Sequence, residues 1–332
     1  MAPPLPDVVW PEPPDLPRIK YLTSYRGATF SRNSVAADIL LGKESKGLLK
    51  KPMGVYVDPD GKVYVTDTAA ADVFIIDPVN KTGTTASELG ANIFFKPIGV
   101  GTDSKGRLYV TDSQSDNVTI LDPKTGKVLG HLAPDEPFEQ PTGLVVDRPR
   151  HRVFVTDTHT HQIKIFDTET FKQIGSIGKR GKEEGEFNFP SHITVDKDGK
   201  LYVVDTMNGR VQIFDAEGKF LRTFGEFGDA PGMFARPKGV GVDSEGHIYV
   251  VDSAFNNVQI FDQEGHTLMA FASYGNDRGQ MILPAGLAVD KDDNIYVVDS
   301  WNRRVEVFEF LGKKYYKRNN IPLPEGYEVP VE

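Results

Sequence analysis

The chain of 332 residues is 39% hydrophobic and 26% charged, which is the composition of a globular protein. It contains no cysteine, which excludes disulfide bonds, thiolate metal ligands, a cysteine nucleophile and haem attachment through C-x-x-C-H. The formal net charge of −9 argues against a generally nucleic-acid-binding surface, which needs clustered Lys and Arg. No apolar run reaches the roughly 18 residues that a membrane span requires.

The first element is a leader, residues 1–17, which contains seven prolines and is expected to be extended and semi-rigid. It does not have the charged and then apolar stretches of a secretory signal peptide. Such a leader suits a mature secreted protein or lipoprotein whose export signal has been removed. We therefore expect an extracytoplasmic location, either periplasmic, anchored to an outer membrane or secreted; a cytoplasmic protein with a proline-rich tail is the alternative.

Six segments that follow the leader repeat one pattern, in which an opening proline precedes three apolar runs separated by turns. The segments open at Pro52, Pro97, Pro141, Pro190, Pro237 and Pro284, spaced by 45, 44, 49, 47 and 47 residues. A recurrence of this length within one chain indicates a repeat architecture.

Each repeat is expected to form one four-stranded sheet. Its first two apolar runs surround a D-x-D-G-like turn and predict a hairpin, and a third strand such as Val211–Phe214 follows. A fourth strand is predicted at Phe171–Ile177, Phe220–Phe224 and Thr267–Phe271. Four antiparallel strands form one blade of a β-propeller, and blades must stack in a ring to bury both faces. The sequence therefore predicts an all-β, six-bladed β-propeller with four antiparallel strands per blade.

The predicted propeller covers residues 18–320 and is followed by a C-terminal tail, residues 321–332. Two segments compete for the outer strand of the sixth blade, Arg18–Tyr25 and Lys314–Arg318. We favour the N-terminal segment, because pairing the first and last strands locks the ring against opening. Residues 26–51 are expected to form an irregular connection into the first blade.

The motif P-x-G-[VL]-x-V-D…[LIV]-Y-V-x-D-[ST]…[RN]-V-x-[IV]-F-D resembles the NHL-repeat family of six-bladed propellers over residues 52–310, approximately. The Asp that ends the second strand occurs in every repeat, as Asp67, Asp112, Asp157, Asp205, Asp252 and Asp299. A catalytic residue is normally needed once, so we interpret six copies as blade geometry, with each carboxylate capping backbone N–H groups of a turn.

Enzymes exist on similar propellers, and we compared the chain with two of their residue patterns. It departs from both. Peptidyl-hydroxyglycine amidating lyases place zinc-binding histidines directly after the proline that opens a blade. The corresponding residues here are Met53, Ile98, Thr142, Ser191, Lys238 and Ala285. The acidic set of gluconolactonase-like propellers also has no match, and motifs for nucleotide binding or a serine-hydrolase elbow are absent. We therefore expect no enzymatic activity and no cofactor.

Three histidines are the candidates for a metal site. His159 and His161 lie in the loop between the second and third strands of the third blade, and His192 lies at the mouth of the fourth. Because these positions share one face of a propeller, the three side chains can in principle converge. A metal-dependent lyase or hydrolase with a His-lined central site is the alternative function, although we favour the interpretation that they are solvated loop histidines.

The same face carries aromatic, Met and basic side chains, the residue types enriched at interface hot spots. The candidates for partner binding are Met207, Arg210, Lys238, Phe255, Trp301, Arg303 and Arg304. Arg210 and Arg304 precede a third-strand Val, and for these two we favour bracing of neighbouring blades, with partner binding as the other role.

We therefore expect a non-enzymatic scaffold or assembly subunit that binds a protein or peptide through the loops of blades three to six. The resemblance to exported bacterial NHL proteins implies that it does so in an extracytoplasmic complex. Animal tripartite-motif NHL proteins bind RNA on such a face, but the acidic composition of this chain disfavours nucleic acid.

Overall fold

The structure is a computed structural model, and it describes residues 7–28, 47–324 and 327. Most of the predicted connection, residues 26–51, lies outside the described residues. The described parts form six four-stranded antiparallel sheets, with a fifth strand added to the last. The predicted fold class is thereby confirmed.

The first five blades follow the repeat order, with the strand that starts at the opening proline innermost. Blade one contains β3 (Pro52–Val57), β4 (Val63–Asp67), β5 (Asp72–Asp77) and β6 (Thr82–Thr85). Blade two contains β7 (Pro97–Thr102), β8 (Leu108–Asp112), β9 (Asn117–Leu121) and β10 (Val128–His131). Blade three contains β11 (Pro141–Asp147), β12 (Arg152–Asp157), β13 (Gln162–Asp167) and β14 (Gln173–Ile177).

Blade four contains β15 (Pro190–Val195), β16 (Leu201–Asp205), β17 (Arg210–Phe214) and β18 (Phe220–Phe224). Blade five contains β19 (Pro237–Val242), β20 (Ile248–Asp252), β21 (Asn257–Phe261) and β22 (Thr267–Phe271). A parallel pair, β23 (Ser273–Tyr274) and β24 (Gln280–Met281), lies in the connection to blade six. Blade six contains β25 (Pro284–Val289), β26 (Asn294–Asp299) and β27 (Arg304–Phe310), completed by β2 (Ile19–Tyr25) and β1 (Val9–Trp10).

The six inner strands form a closed ring around a central channel. Each contacts the inner strands of both neighbouring blades, and β25 contacts β3, so that the last repeat meets the first. The middle strands are buried along their whole length, as in β16 and β20, because they are covered by sheets on both sides. The hydrophobic core therefore lies between the blades, in layers of Val, Ile, Tyr and Phe.

The sixth blade is closed by the N-terminal segment, as the sequence predicts. Strand β2 pairs antiparallel with β27, from Ile19 opposite Phe310 to Tyr25 opposite Val305. The competing segment forms a short helix, α1 (Lys313–Arg318), because its sequence K-K-Y-Y-K-R lacks an alternating apolar face to bury. The described residues contain no helix long and apolar enough to cross a membrane.

Part of the predicted leader also packs on this blade. Strand β1 pairs with β2, and the ring of Trp10 contacts the rings of Phe271 and Phe308 at centroid distances of 5.9 and 5.7 Å. The indole is large enough to cover the outer edge of the sixth blade, which places these residues against the propeller.

Candidate partner-binding face

Two kinds of connection emerge at the same end of the propeller. Each opening proline pairs with the Asp that ends the second strand, as Pro237 does with Asp252. The loops between second and third strands therefore lie beside the loops that lead from one blade into the next. We call this end the loop face, and the opposite end, which carries the hairpins after each inner strand, the turn face.

The repeated Asp residues hold the loop face together. Asp67 accepts hydrogen bonds from the N–H groups of Lys51, Ala69 and Ala70 at 2.9 to 3.0 Å. Asp252 does the same with Ala235, Arg236 and Ala254. The interpretation of these carboxylates as turn caps is confirmed, and they leave the loops rigid enough to present side chains.

Large apolar side chains are exposed on the loop face. In the described part of the chain, seven such residues lie in its loops with exposed fractions of 37 to 69%: Ile93, Phe95, Met207, Phe227, Tyr274, Leu283 and Trp301. All but Ile93 and Phe95 belong to blades four to six and their connections. Since exposed aromatic residues on a rigid scaffold commonly mark interaction sites, this clustering sets the loop face apart.

Hydrogen bonds join the blade-five and blade-six residues into one patch. Leu283 donates its N–H to the Asn256 side chain at 2.8 Å, which places it beside Phe255, a half-buried residue. The backbone N–H of Trp301 donates to the carbonyl of Ile282 at 3.2 Å. The side-chain amide of Asn302 donates to the carbonyl of Gly275, which follows Tyr274 in the chain. We call Phe255, Tyr274, Leu283 and Trp301 the aromatic patch.

The blade-four residues lie in a separate turn. Met207 occupies a short 3-10 turn, Thr206–Asn208, and is 54% exposed. Gly209 follows with φ +65°, and a Cβ there would approach the ring of Phe227 to 2.8 Å. The backbone conformation and the close contact explain why position 209 is a glycine. The contact also places Phe227 beside the Met207 turn.

Two of the three predicted arginines form hydrogen bonds that hold loops in place, and the third is exposed. Arg304 is 4% exposed; its guanidinium donates to Asp299 at 2.9 Å and to the carbonyls of Asn276, Asp277 and Gln280. Arg210 bonds Asp205 and the carbonyls of Glu183 and Glu186 in the same way. Both therefore anchor the incoming inter-blade loop, which is the bracing role. Arg303, in contrast, is exposed.

The three candidate histidines have different surroundings. The interpretation as a solvated loop histidine is wrong for His161, which is buried and whose Nδ1 accepts a hydrogen bond from the N–H of Phe189 at 3.1 Å. Burial, with Arg180 and His159 nearby, lowers its pKa. His159 is exposed and stacks edge-on against Phe189, whereas His192 lies on an inner strand and lines the channel. Among the described residues, no group of three or more His, Asp or Glu side chains is arranged to hold a metal ion.

His192 lines the channel, and Lys238 is the second residue of the neighbouring inner strand. Burial and the ammonium of Lys238 lower the pKa of His192 to about 3, so the imidazole is neutral at pH 7. Burial and the charge of Arg236 lower the pKa of Lys238. The channel below has a volume of about 190 Å³ and is lined mostly by Gly and aliphatic residues of the inner strands.

The positions around the six opening prolines carry a local excess of basic residues. At the two positions before and one position after each opening proline, which we call the inner rim, there are five basic residues and one acid: Lys50, Lys51, Lys96, Arg236, Lys238 and Glu139. The hairpins of the turn face instead begin with an Asp in every blade, for example Asp58, Asp196 and Asp290. The inner rim is thus locally basic on an acidic protein.

Sequence reasoning missed Phe95, Phe227, Tyr274 and Leu283. They lie in the connections between blades, where no repeated pattern predicts conformation. For Phe95 and Leu283 the sequence held a weak signal of a place on the loop face, because each lies within two positions before an opening proline.

Comparison with known proteins agrees with this architecture. The chain matches a family described as a 6-bladed beta-propeller over residues 144–223 and 197–254, and the NHL repeat over residues 282–308. The chain is therefore a six-bladed β-propeller, and its segment 282–308 matches the NHL repeat.

Protein brain tumor of Drosophila melanogaster is 46% identical over 50 residues, which are 15% of this chain and 5% of that protein. The chain thus matches only a small fraction of the length of such relatives.

Solved structures with little sequence identity share the fold. The hydrazine synthase of Kuenenia stuttgartiensis superposes with a TM-score of 0.57 at 13% identity, covering 80% of this chain and 97% of that chain. Virginiamycin B lyase from Staphylococcus aureus gives 0.54 at 18% identity, covering 80% and 86%. At these identities the likeness concerns the fold alone, and a fold does not imply a function.

Proposed function

We propose that this chain is a non-enzymatic NHL-repeat propeller that acts as a scaffold or assembly subunit, binding a protein partner through the loop face of blades three to six. The observation that carries the proposal is the aromatic patch. Its Trp301 and Tyr274 are 68 and 69% exposed, although aromatic side chains of this size are usually buried when they have no partner.

The surroundings of the patch suit a protein interface. Met207 and Phe227 extend the apolar surface on blade four, and Arg303 and Lys238 supply charges at its border. An apolar centre with a polar border is the usual anatomy of such interfaces. Arg210 and Arg304 contribute indirectly, because they fix the loops that carry the patch.

The proposed location is extracytoplasmic, as part of a larger complex, and the proline-rich segment 1–17 would connect the propeller to it. Support comes from the resemblance to exported NHL proteins and from the composition of this segment. Cell fractionation of the native source, with an antibody against the propeller, tests the location: a cytoplasmic signal contradicts it.

The interaction is tested by quantitative pull-down from extracts of the native source with three forms of the chain. Wild type and Ile174→Ala, a matched control on the outer rim with 57% exposure, should recover the same partner. Trp301→Ala should recover about tenfold less of this partner than wild type does, or still less, as expected when a hot-spot residue is removed. Equal recovery with Trp301→Ala, and with Tyr274→Ala, would contradict the proposal.

A further inference from the structure

The inner strand of blade four breaks a pattern that the other five blades keep. Two positions after the opening proline, five blades have a glycine whose absent side chain lets the next inner strand approach. A Cβ on any of them would lie 2.0 to 2.6 Å from a backbone atom of the following blade: Gly54, Gly99, Gly143, Gly239 and Gly286. Blade four has His192 there, and the imidazole lines the channel.

The following blade supplies the other irregular residue. Of the six residues that directly follow an opening proline, five are uncharged and one, Lys238, is a cation. Lys238 is half-buried. In other blades the residue at the His192 position approaches the residue that follows the next opening proline, as Gly143 approaches Ser191 and Gly286 approaches Met53, so His192 lies against Lys238. The two exceptions to the repeat therefore lie together at one point of the channel mouth.

The ammonium of Lys238 has no compensating anion in the part of the chain that the structure describes. Neither Lys238 nor the neighbouring Arg236 forms an ion pair there with a described carboxylate. A buried lysine elsewhere in the same fold is fully satisfied: Lys164 contacts Asp157 at 2.9 Å and donates to the carbonyls of Glu136 and Pro137. Because a partly buried charge is stabilised by a partner of opposite sign, an anion beside Lys238 would be favourable.

The surrounding polar groups and the space limit what that anion is. The Ser191 hydroxyl lies 2.6 Å from the Thr206 hydroxyl and 3.3 Å from Nδ1 of His192, so neutral hydrogen-bonding groups adjoin His192. The channel volume of about 190 Å³ is below the roughly 300 Å³ at which pockets for small-molecule ligands begin. A group of side-chain size fits, and an extended polyanion is opposed by the net charge of −9.

We propose that Lys238, with Arg236 and His192 beside it, binds a single carboxylate at the loop-face mouth of the channel. This inference rests on the proposed function, since the docked partner would deliver the carboxylate as an Asp or Glu side chain or as its C-terminus. The aromatic patch would then hold apolar residues that flank the acid, and the neutral imidazole would form one wall of the site.

The site is tested directly by NMR on protein whose lysines carry ¹³C-methyl groups, which preserve the charge. Sodium propionate is titrated at pH 7 and constant ionic strength, with chloride as the balancing anion. The Lys238 signal is assigned by its absence in Lys238→Arg and, independently, in Lys238→Met. We expect it to shift and saturate with a Kd on the order of 10 mM or lower. Lys197, exposed on the turn face, serves as the control and should only drift linearly. A Lys238 signal that behaves like Lys197 would overturn the inference.

A second experiment distinguishes the sources of the carboxylate. Fluorescent octapeptides with Phe and Leu flanks carry a central Glu or Gln, and end in a free acid or an amide. Binding to wild type should favour the Glu or the free-acid peptide about tenfold, a preference that Lys238→Met removes and Lys197→Met retains. No preference for either acid, or a tighter Lys238-dependent interaction with an eight-nucleotide oligo(U) RNA, would contradict a carboxylate site.

The two proposals can fail separately. If propionate leaves Lys238 unaffected while partner recovery still depends on Trp301, the scaffold function stands and the carboxylate site does not. If propionate saturates Lys238 but Trp301→Ala changes nothing in the pull-down, the site stands and the docking surface is wrong.

Discussion

Two adjacent arginines in blade six have opposite environments. Arg304 connects buried Asp299 and Glu306 with three loop carbonyls, whereas Arg303 is exposed beside it. We expect Arg304→Ala to lower the free energy of unfolding by about 3–5 kcal/mol, because it leaves buried carboxylates without a counter-charge. Arg303→Ala should change it by less than about 0.5 kcal/mol. Urea denaturation measures both, and equal effects of the two substitutions would contradict the assigned roles.

Glu306 is the residue in blade six with the clearest expected pH dependence. Its side chain is fully buried, and Oε1 lies 2.7 Å from a guanidinium nitrogen of Arg304, without hydrogen-bond geometry. Burial, partly opposed by Arg304 and aided by Asp299, raises its pKa from 4.5 to about 7. The folded state therefore holds this proton more tightly than the unfolded chain, so its contribution to stability is complete below pH 4.5 and is lost as pH rises through 7.

The matching substitution is Glu306→Gln, which removes the titrating group but keeps its size. At pH 8 this variant should be more stable than wild type, by on the order of 2 kcal/mol, and the advantage should disappear at pH 5. Urea denaturation at both pH values measures the difference, with the exposed Glu264→Gln as control. A difference between variant and wild type that is the same at both pH values would disprove the raised pKa.

At the residue scale, the sequence predicts the roles of residues that recur in every repeat. Six copies of one Asp indicate a turn cap, and the structure confirms it at Asp67 and Asp252. The environment of Arg304 is set by carbonyls 24 to 28 positions earlier in the chain, in the connection from blade five. The repeat pattern favours bracing for Arg304, but it does not predict the conformation of this connection or the carbonyls that the guanidinium binds.

Among the elements, β2 joins the start of the chain to the last blade by pairing with β27. Ile19 on this strand is fully buried, whereas Leu22, three residues on, is 40% exposed. Ile19→Ala should cost about 2–5 kcal/mol of unfolding free energy, and Leu22→Ala less than about 1 kcal/mol. Thermal or urea denaturation compares them. Equal, small effects would mean that β2 does not close the ring.

Strand β2 was predictable because its apolar residues alternate and a ring needs a closing strand. Strand β1 was not, since five prolines within residues 3–13 obscure the pairing of Val9–Trp10. The inter-blade connections were also beyond prediction, and with them four of the exposed apolar residues of the loop face, Phe95, Phe227, Tyr274 and Leu283. Repeats fix strands well, but each connection has its own length and contacts.

On the scale of the whole molecule, the ring places different chemistry on its two ends. The loop face combines the aromatic patch with a basic inner rim, and the turn face carries an Asp at the start of every hairpin. A rigid ring of this kind presents its loops with little rearrangement, which favours use as a scaffold.

Docking through the loop face of blades three to six is the central claim, and hydrogen–deuterium exchange of the propeller with its purified partner tests it most directly. We expect slower exchange in residues 158–161, 206–210, 253–257, 273–283 and 300–303, with the outer strands β10 and β14 and the turn-face hairpins unchanged. Protection confined to the outer strands or to the turn face would contradict the claim.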